Sequence, residues 1–354
     1  MATTARSAPD VLEGLIRQAE AAGASDIHLR LDGDQARVAF RLDGVLSPVA
    51  ELSDPVARRV FGRVKYLARL KTYQAATPQD GRIDKKDVAA DSDIRVATYP
   101  TVTGEKIVLR LFATAEVLAL DELGFPEPVR GALQGFLARP AGLLLLTGPA
   151  GSGKTTTIYA CLHHLAADPS RHIITIEDPV ERVIDGIMQT EVNRAAGLTF
   201  AAAARHLLRQ DPQVLVIGEI RDEETANLAV RAAFTGHLVI ATLHAGSCRG
   251  VFERLFDMCA DRYAAIAAVA MVLSQRLVRK LCTECGGRGH AACEACLGTG
   301  YQGRTPACEW LRVDDALRRE LRDNGAGVVA PEPSLEADGR RLVAAGLTDE
   351  REYA

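Results

Sequence analysis

Gly148-Pro149-Ala150-Gly151-Ser152-Gly153-Lys154-Thr155 fits the pattern GxxxxGK[ST], and no other segment of the chain narrows its fold so far. Glycines let the backbone curl until successive N–H groups point inward at phosphate oxygens, and a helix N-terminus behind them adds partial positive charge. The pattern has this meaning only between a strand and a helix. Residues 143–146 are an unbroken apolar run before it, and residues 155–165 read as a helix after it. A phosphate cradle is therefore expected at Gly148, Ala150, Gly151, Ser152, Gly153, Lys154, Thr155 and Thr156. Lys154 would reach the β- and γ-phosphates of ATP, and the Thr155 hydroxyl would hold Mg²⁺.

Short, wholly apolar stretches alternate with helical ones around this motif: 142–146, 173–176, 214–217 and 238–241. Strands without polar alternation are covered on both faces, as in the parallel sheet of an α/β domain. Three of these strands end in groups able to do chemistry. Residues 214–217 run into Gly218-Glu219, which offers a carboxylate for Mg²⁺ or, alternatively, a cap for a helix over 221–234. Residues 173–176 run into Glu177-Asp178-Pro179-Val180-Glu181. Three carboxylates in five residues repel one another unless a metal, a water or a basic partner sits among them. Either Glu181 or Glu177 suits a base that deprotonates an attacking water, and an acidic strand-to-helix turn is the plainer alternative. His237 and His244 flank the fourth strand, placed for structure or for sensing a γ-phosphate.

With 354 residues, two folded domains are expected. Residues 1–113 read as a small α+β domain. It opens on a helix marked by Val11, Leu12, Leu15, Ile16 and Ala19, followed by strands at 37–42, 93–98 and 106–112, with Asp43-Gly44 as a hairpin turn. Residues 114–128, broken by Pro126 and Pro128, read as a linker, and 129–354 as the P-loop domain. Beyond Trp310 a charged helix, a Gly- and Pro-containing stretch and a short last helix are expected. The 42 basic and 46 acidic side chains leave a formal charge of -4, so no nucleic-acid partner is expected. No apolar run reaches the roughly 18–20 residues needed to cross a bilayer, and residues 1–10 lack the apolar core of a secretory signal. A cytoplasmic protein that meets membranes only through partners is expected.

Cys282, Cys285, Cys293 and Cys296 form two CxxCxGxG knuckles separated by seven residues. Four thiolates around one Zn²⁺ make a closed structural site with no open position for a substrate. A redox dithiol or metal-free cysteines are the alternatives. The short loop also resembles half of the zinc-binding region of DnaJ-type chaperones. Cys161, Cys248, Cys259 and Cys308 read as buried or incidental thiols.

Taken together, GPAGSGKTTT, ITIEDPVE, VLVIGEIRDEET and GHLVIATLH, in that order, resemble the Walker A, Asp, Walker B and His boxes of the type II secretion and type IV pilus assembly ATPases (GspE/PilB/PilT-like). ASDIHLR, RLDGVL, PQDGR and DIRVATYPTVTGEKIVLRLF resemble that family's first domain, and SQRLVRKLC the approach to its cysteines. The resemblance implies a RecA-like ATPase domain, a PAS-like first domain and a tetracysteine zinc subdomain over 281–300. It implies Glu181 as catalytic base, Glu219 at Mg²⁺, His237 and His244 as nucleotide sensors, and Arg95 and Arg110 as arginines that reach nucleotide. It further implies a homohexameric ring acting on an inner-membrane platform protein, and so a cytoplasmic location peripheral to that membrane. Two features depart from the family: only about 23 residues precede ASDIHLR, and the spacer between the CxxC pairs is short. The cysteine module inclines the reading to secretion or assembly. The alternatives are a retraction-type motor, a RecA-like nucleic-acid motor and a regulatory nucleotide-binding module.

Overall fold

Residues 7–33, 35–111, 117–290, 293–331 and 333–352 are described by the computed structural model. The chain divides into two units, Met1–Glu116 with Arg279–Arg304 and Val117–Val278 with Thr305–Ala354.

In the first unit, helix α1 (Ala8–Ala21) begins at a capping box: the Ser7 hydroxyl accepts from Asp10 N–H, and the Asp10 carboxylate accepts from Ser7 N–H. Its buried residues Leu12, Leu15, Ile16 and Ala19 recur at helical spacing. The remaining elements are β1 (Asp26–Asp32), β2 (Gln35–Leu42), β3 (Val45–Ser53), α2 (Asp54–Leu67), β4 (Gln79–Ile83), β5 (Ile94–Thr101) and β6 (Gly104–Leu111). The strands form one antiparallel sheet in the order β3-β2-β1-β6-β5-β4. Asp43 and Gly44 turn β2 into β3 at φ 49° and 90°, the positive pair a two-residue hairpin needs. One face of the sheet buries Ile27, Leu29, Val38, Phe40, Ile94, Val96, Ile107 and Leu109 with α1 and α2. Alternation then sets Asp26, Arg41, Arg95 and Arg110 on the other face.

The second unit contains α3 (Glu127–Leu137), β7 (Gly142–Thr147), α4 (Lys154–Ala166), β8 (Ile173–Glu177), β9 (Met188–Glu191), α5 (Phe200–Leu207), β10 (Val214–Ile220), α6 (Glu223–Phe234), β11 (Leu238–Leu243), α7 (Cys248–Met258), α8 (Arg262–Ala268), α9 (Asp315–Asn324) and α10 (Leu335–Ala344). Strands β12 (Val269–Leu281) and β13 (Tyr301–Arg312) leave it and return to it on either side of the cysteines. Strand order is β13-β12-β7-β11-β10-β8-β9, and the pairings of β12, β7, β11, β10, β8 and β9 are all parallel. Leu143 and Leu145 enter one core with α5–α8, while Leu144 and Leu146 enter the other with α3 and α4. This double covering is why β7 carries no polar alternation.

Two boundaries differ from the sequence reading. Part of the stretch read as a linker lies outside the described residues, but Leu120, Leu123 and Phe125 are buried in the second unit's core. Pro128 sits in the first turn of α3, where its missing N–H is not needed. The cysteine loop belongs to the first unit, although it interrupts the second in sequence. There Leu297 packs on the first core, Gly303 N–H donates to Asp43 Oδ2 at 2.8 Å, and Arg304 pairs with the same carboxylate at 3.7 Å.

Candidate active site

The cradle lies between β7 and α4, as its residue pattern requires. Gly148 and Gly153 have φ of 136° and 89°. A Cβ on Gly148 would lie 2.2 Å from the Gln275 carbonyl oxygen, so only glycine fits there. Gln275, buried on β12, braces the loop: its Nε2 donates to Ser152 O at 2.8 Å, and its Oε1 accepts from Thr157 Oγ1 at 3.1 Å. Lys154 Nζ donates to the Gly148 and Pro149 carbonyls at 2.8 and 2.9 Å. Burial holds its pKa below the ordinary lysine value, with the Glu219 charge opposing.

Parallel strands deliver the other boxes to the same edge of the sheet. A cleft of about 250 Å³ is lined by Ala150, Gly151, Lys154 and Thr155, and across from them by Glu177, Asp178, Glu181, Glu219, Arg221 and His244. All lie at or beyond the carboxyl ends of β7, β8, β10 and β11, where open α/β sheets bind ligands. Glu219 is held from two sides: His244 Nε2 is 2.8 Å from its Oε1, and Arg221 pairs with its Oε2. Asp178 pairs with Arg194 at 3.2 Å and Arg221 at 3.6 Å. The Glu177 carboxylate is buried and fully engaged. Its Oε1 accepts from Thr175 Oγ1 at 2.6 Å and Gln189 Nε2 at 3.0 Å, and its Oε2 accepts from Tyr159 at 2.6 Å. Glu181 is exposed on the cleft, and among the described residues its carboxylate has no hydrogen bond or ion pair. Of the two candidate bases, Glu181 is the one with a free carboxylate. The crowding of acids is relieved by hydroxyls, an amide and two arginines.

The nucleotide and its metal suit this donor set. Free N–H groups at the start of α4 suit phosphate, and a hydroxyl at Thr155 with a carboxylate at Glu219 suits the hard cation Mg²⁺.

The two histidines do not share a site. His244 lines the cleft, whereas His237 precedes β11 at its other end, with the six residues of that strand between them and a separation of about 23 Å. His237 Nδ1 lies 2.9 Å from the Ala232 carbonyl, which makes it a helix-end contact of α6. A strand joins its two ends in sequence while separating them in space, so sequence proximity misleads here.

Within the first unit, Arg95 and Arg110 face each other across β5 and β6, and Arg82 continues the row on β4. Arg110 Nε lies 3.0 Å from Asp26 Oδ1, and Arg41 pairs with the other oxygen of Asp26 at 3.4 Å. Burial raises the Asp26 carboxyl, but the Ser25 hydroxyl and Arg110 outweigh it and hold the pKa below the usual value.

The four cysteine sulfurs lie within 4.8 Å of one another. Cys282–Cys293 and Cys285–Cys296 are both 3.8 Å apart. A tetrahedron of sulfurs around Zn²⁺ at about 2.3 Å has edges of about 3.8 Å, so the set fits that ion. The Gly289 N–H lowers the Cys285 thiol from its ordinary value, whereas Cys293 is raised, the Cys296 N–H pulling it down but the Cys296 sulfur and burial outweighing that. By contrast, burial pushes Cys161 up to about 12 and Cys259 to about 11, and raises Cys248 and Cys308 as well. These are inert packing thiols.

Tyr159, Thr175, Gln189 and Gln275 escape a reading of one sequence. Each sits in or beside an apolar stretch, where a single polar residue carries no pattern of its own.

A family model described as Type II/IV secretion system protein matches residues 3–354. The Type II secretion system protein HxcR of Pseudomonas aeruginosa is 42% identical over 353 residues, covering 96% of this chain and 75% of HxcR. The Type IV pilus assembly ATPase PilB of Thermus thermophilus is 41% identical over 340 residues, covering 89% of this chain and 38% of PilB. Among solved structures, the pilus retraction motor PilT with bound ADP superposes at a TM-score of 0.67 with 28% identity, covering 97% of this chain and 95% of PilT.

Proposed function

The chain belongs to the type II/IV secretion system protein family, and we propose that its cleft hydrolyses ATP with Glu181 as the base. ATP hydrolysis in secretion and pilus systems is the family's activity and this chain's. The observation that carries the residue assignment is the gathering of four strand ends around one cleft, with Glu181 alone there in having an unengaged carboxylate.

In this reading the backbone from Gly148 to Gly153 and Lys154 bind the phosphates, with Thr155 and Thr156 at the helix start. Thr155 and Glu219 would hold Mg²⁺, which when bound neutralises charge on the β- and γ-phosphates. Glu181 orients a water and takes its proton, and His244 fixes the Glu219 carboxylate. Zn²⁺ on Cys282, Cys285, Cys293 and Cys296 would be structural, cross-linking a loop that has little core of its own.

We further propose a homohexamer that drives an inner-membrane platform protein toward secretion or pilus assembly, with Arg95 and Arg110 completing the catalytic site. No helix among the described residues is long and apolar enough to cross a membrane, which suits a cytoplasmic motor held at that membrane by a partner.

Turnover and nucleotide affinity, measured separately, test the site. Lys154→Ala should lose both. Glu181→Gln should keep ATP binding and lose about 10²–10⁴ in turnover. Unchanged turnover in Glu181→Gln would move the base elsewhere. Stimulation of turnover by DNA would instead favour a nucleic-acid motor.

A further inference from the structure

Tyr159 lies on α4, five residues after Lys154, with its ring buried and its hydroxyl turned toward the acidic loop beyond β8. That hydroxyl is 2.6 Å from Glu177 Oε2, 3.2 Å from the backbone N of Glu181 and 3.1 Å from that of Arg182. A phenol has one proton to donate and two lone pairs to accept with. Here the proton goes to a buried carboxylate at 2.6 Å, with the Arg182 carbonyl at 3.2 Å as its longer alternative, and both lone pairs receive backbone N–H groups. Nothing is left over. Burial and the adjacent Glu177 raise the phenol's pKa, which keeps the donor protonated. Gln189, opposite Thr175 on β9, ties the same loop from the other side. Its Nε2 donates to Arg182 O at 2.9 Å and to Glu177, and its Oε1 accepts from Ile184 N–H at 2.6 Å.

We infer that Tyr159 is a positioning residue: its hydroxyl, spent on Glu177 and on the N–H groups of Glu181 and Arg182, fixes the loop that presents the Glu181 carboxylate to the cleft. Glu177 is then the anchor of this hub, and Gln189 its second arm. The inference rests on the reading of Glu181 as base. The physical argument is that a base must be held to within a fraction of an ångström, and an exposed loop does not supply that hold by itself. A buried hydrogen bond to a carboxylate is among the stronger neutral-donor contacts available, so it suits the task. The arrangement also ties the base to the helix whose N-terminus cradles the phosphates.

The test is steady-state ATP turnover and nucleotide affinity of the full chain with Mg²⁺. Tyr159→Phe is expected to bind ATP within a few-fold of the unaltered chain and to lose roughly 10–10² in kcat, as is typical for groups that orient a reacting one. Made in a Glu181→Gln background, the same substitution should cost nothing further, because the group it positions is gone. Thr175→Val takes a donor from the same Glu177 carboxylate without touching residues 181 and 182, and should leave kcat within a few-fold. The inference is overturned if Tyr159→Phe turns over normally, if its loss persists in full in the Glu181→Gln background, or if Thr175→Val loses as much. Should Tyr159→Phe not fold by circular dichroism, Gln189→Leu takes its place with the same expected kcat loss, and normal turnover there overturns the inference. An inactive Glu181→Gln beside a fully active Tyr159→Phe removes the positioning role alone. A fully active Glu181→Gln removes the base and the positioning role together.

Discussion

His244 Nε2 stands 2.8 Å from Glu219 Oε1, so the residue after β11 fixes the orientation of a carboxylate delivered by β10. Reciprocal bonds hold the histidine's own loop in place: Thr147 Oγ1 donates to Ala245 O at 2.7 Å and accepts from Ala245 N–H at 2.9 Å. The last residue before the phosphate loop thus anchors the segment that carries His244. Replacing the histidine by Ala should free Glu219 to swing toward Arg221, its remaining partner. We expect His244→Ala to lower turnover by roughly 10–10²-fold with a smaller change in nucleotide affinity. His237→Ala, at the far end of the strand, should leave turnover within a few-fold. Equal losses in the two variants would contradict the separation of the histidines.

The cysteine loop gives a prediction about metal. Four buried sulfurs with tetrahedral spacing should hold one zinc per chain in reduced protein, measured by elemental analysis. Cys296→Ser should release it and loosen the loop around Leu297 and Gly303, which pack on the first unit. Nucleotide binding at the P-loop should survive, since none of the cradle's contacts involves these cysteines. Freshly reduced protein without zinc would refute the assignment.

How much of this was legible beforehand depends on where a residue's partners lie in sequence. The cradle could be read because its strand, loop and helix are contiguous, and Asp43-Gly44 because a hairpin turn is local. The four apolar strands were legible from their lack of alternation. Strand β12 was not anticipated as a strand, because residues 264–273 are a run of Ala, Ile, Val, Met and Leu without period or breaker. Residue pattern by itself left Glu177 and Glu181 even, and only the family resemblance favoured Glu181, since what distinguishes them physically is Tyr159 and Gln189, 18 and 12 residues from Glu177. The docking of the cysteine loop on the first unit runs through Asp43 and Gly303, 260 residues apart, and local patterning holds no information at that range.

His28 predicts an acid-sensitive first unit. Neither of its ring nitrogens has a hydrogen-bond partner among the described residues, and both are shielded from solvent. Burial depresses its pKa below 6.5, aided by Lys106 on β6 and Arg41 on β2, with Asp26 on β1 opposing and Arg110 on β6 adding to the depression. The folded state therefore resists a proton that the unfolded chain accepts. Stability from this residue is complete above about pH 6.5 and declines as pH falls from there toward the folded pKa, where the loss levels off. Thermal unfolding midpoints between pH 8 and 5 check it. His28→Phe should flatten the profile in that window, and an unaltered slope would show that another group titrates.

Arg95 and Arg110 separate a ring motor from an ATPase complete in one chain. They are paired in register on β5 and β6, and Arg110 is steadied by Asp26 at 3.0 Å. A guanidinium is permanently charged and offers two parallel donors to phosphate oxygens, which suits it to a transferring phosphoryl group. On a sheet face such arginines are often only solvated surface, and the two roles predict different behaviour. If they complete a site only in the assembled ring, activity per chain should rise with protein concentration and follow hexamer formation. Arg95→Ala and Arg110→Ala should then lose turnover by up to about 10³-fold while each chain still folds and binds ATP. Mixing an arginine variant with Lys154→Ala gives the sharper measurement, because neither is active alone. In mixed rings an intact cradle on one chain can meet intact arginines on its neighbour, so turnover should reappear at a fraction set by the mixing ratio. Absence of recovery in rings shown by mass to be mixed would count against donation between chains.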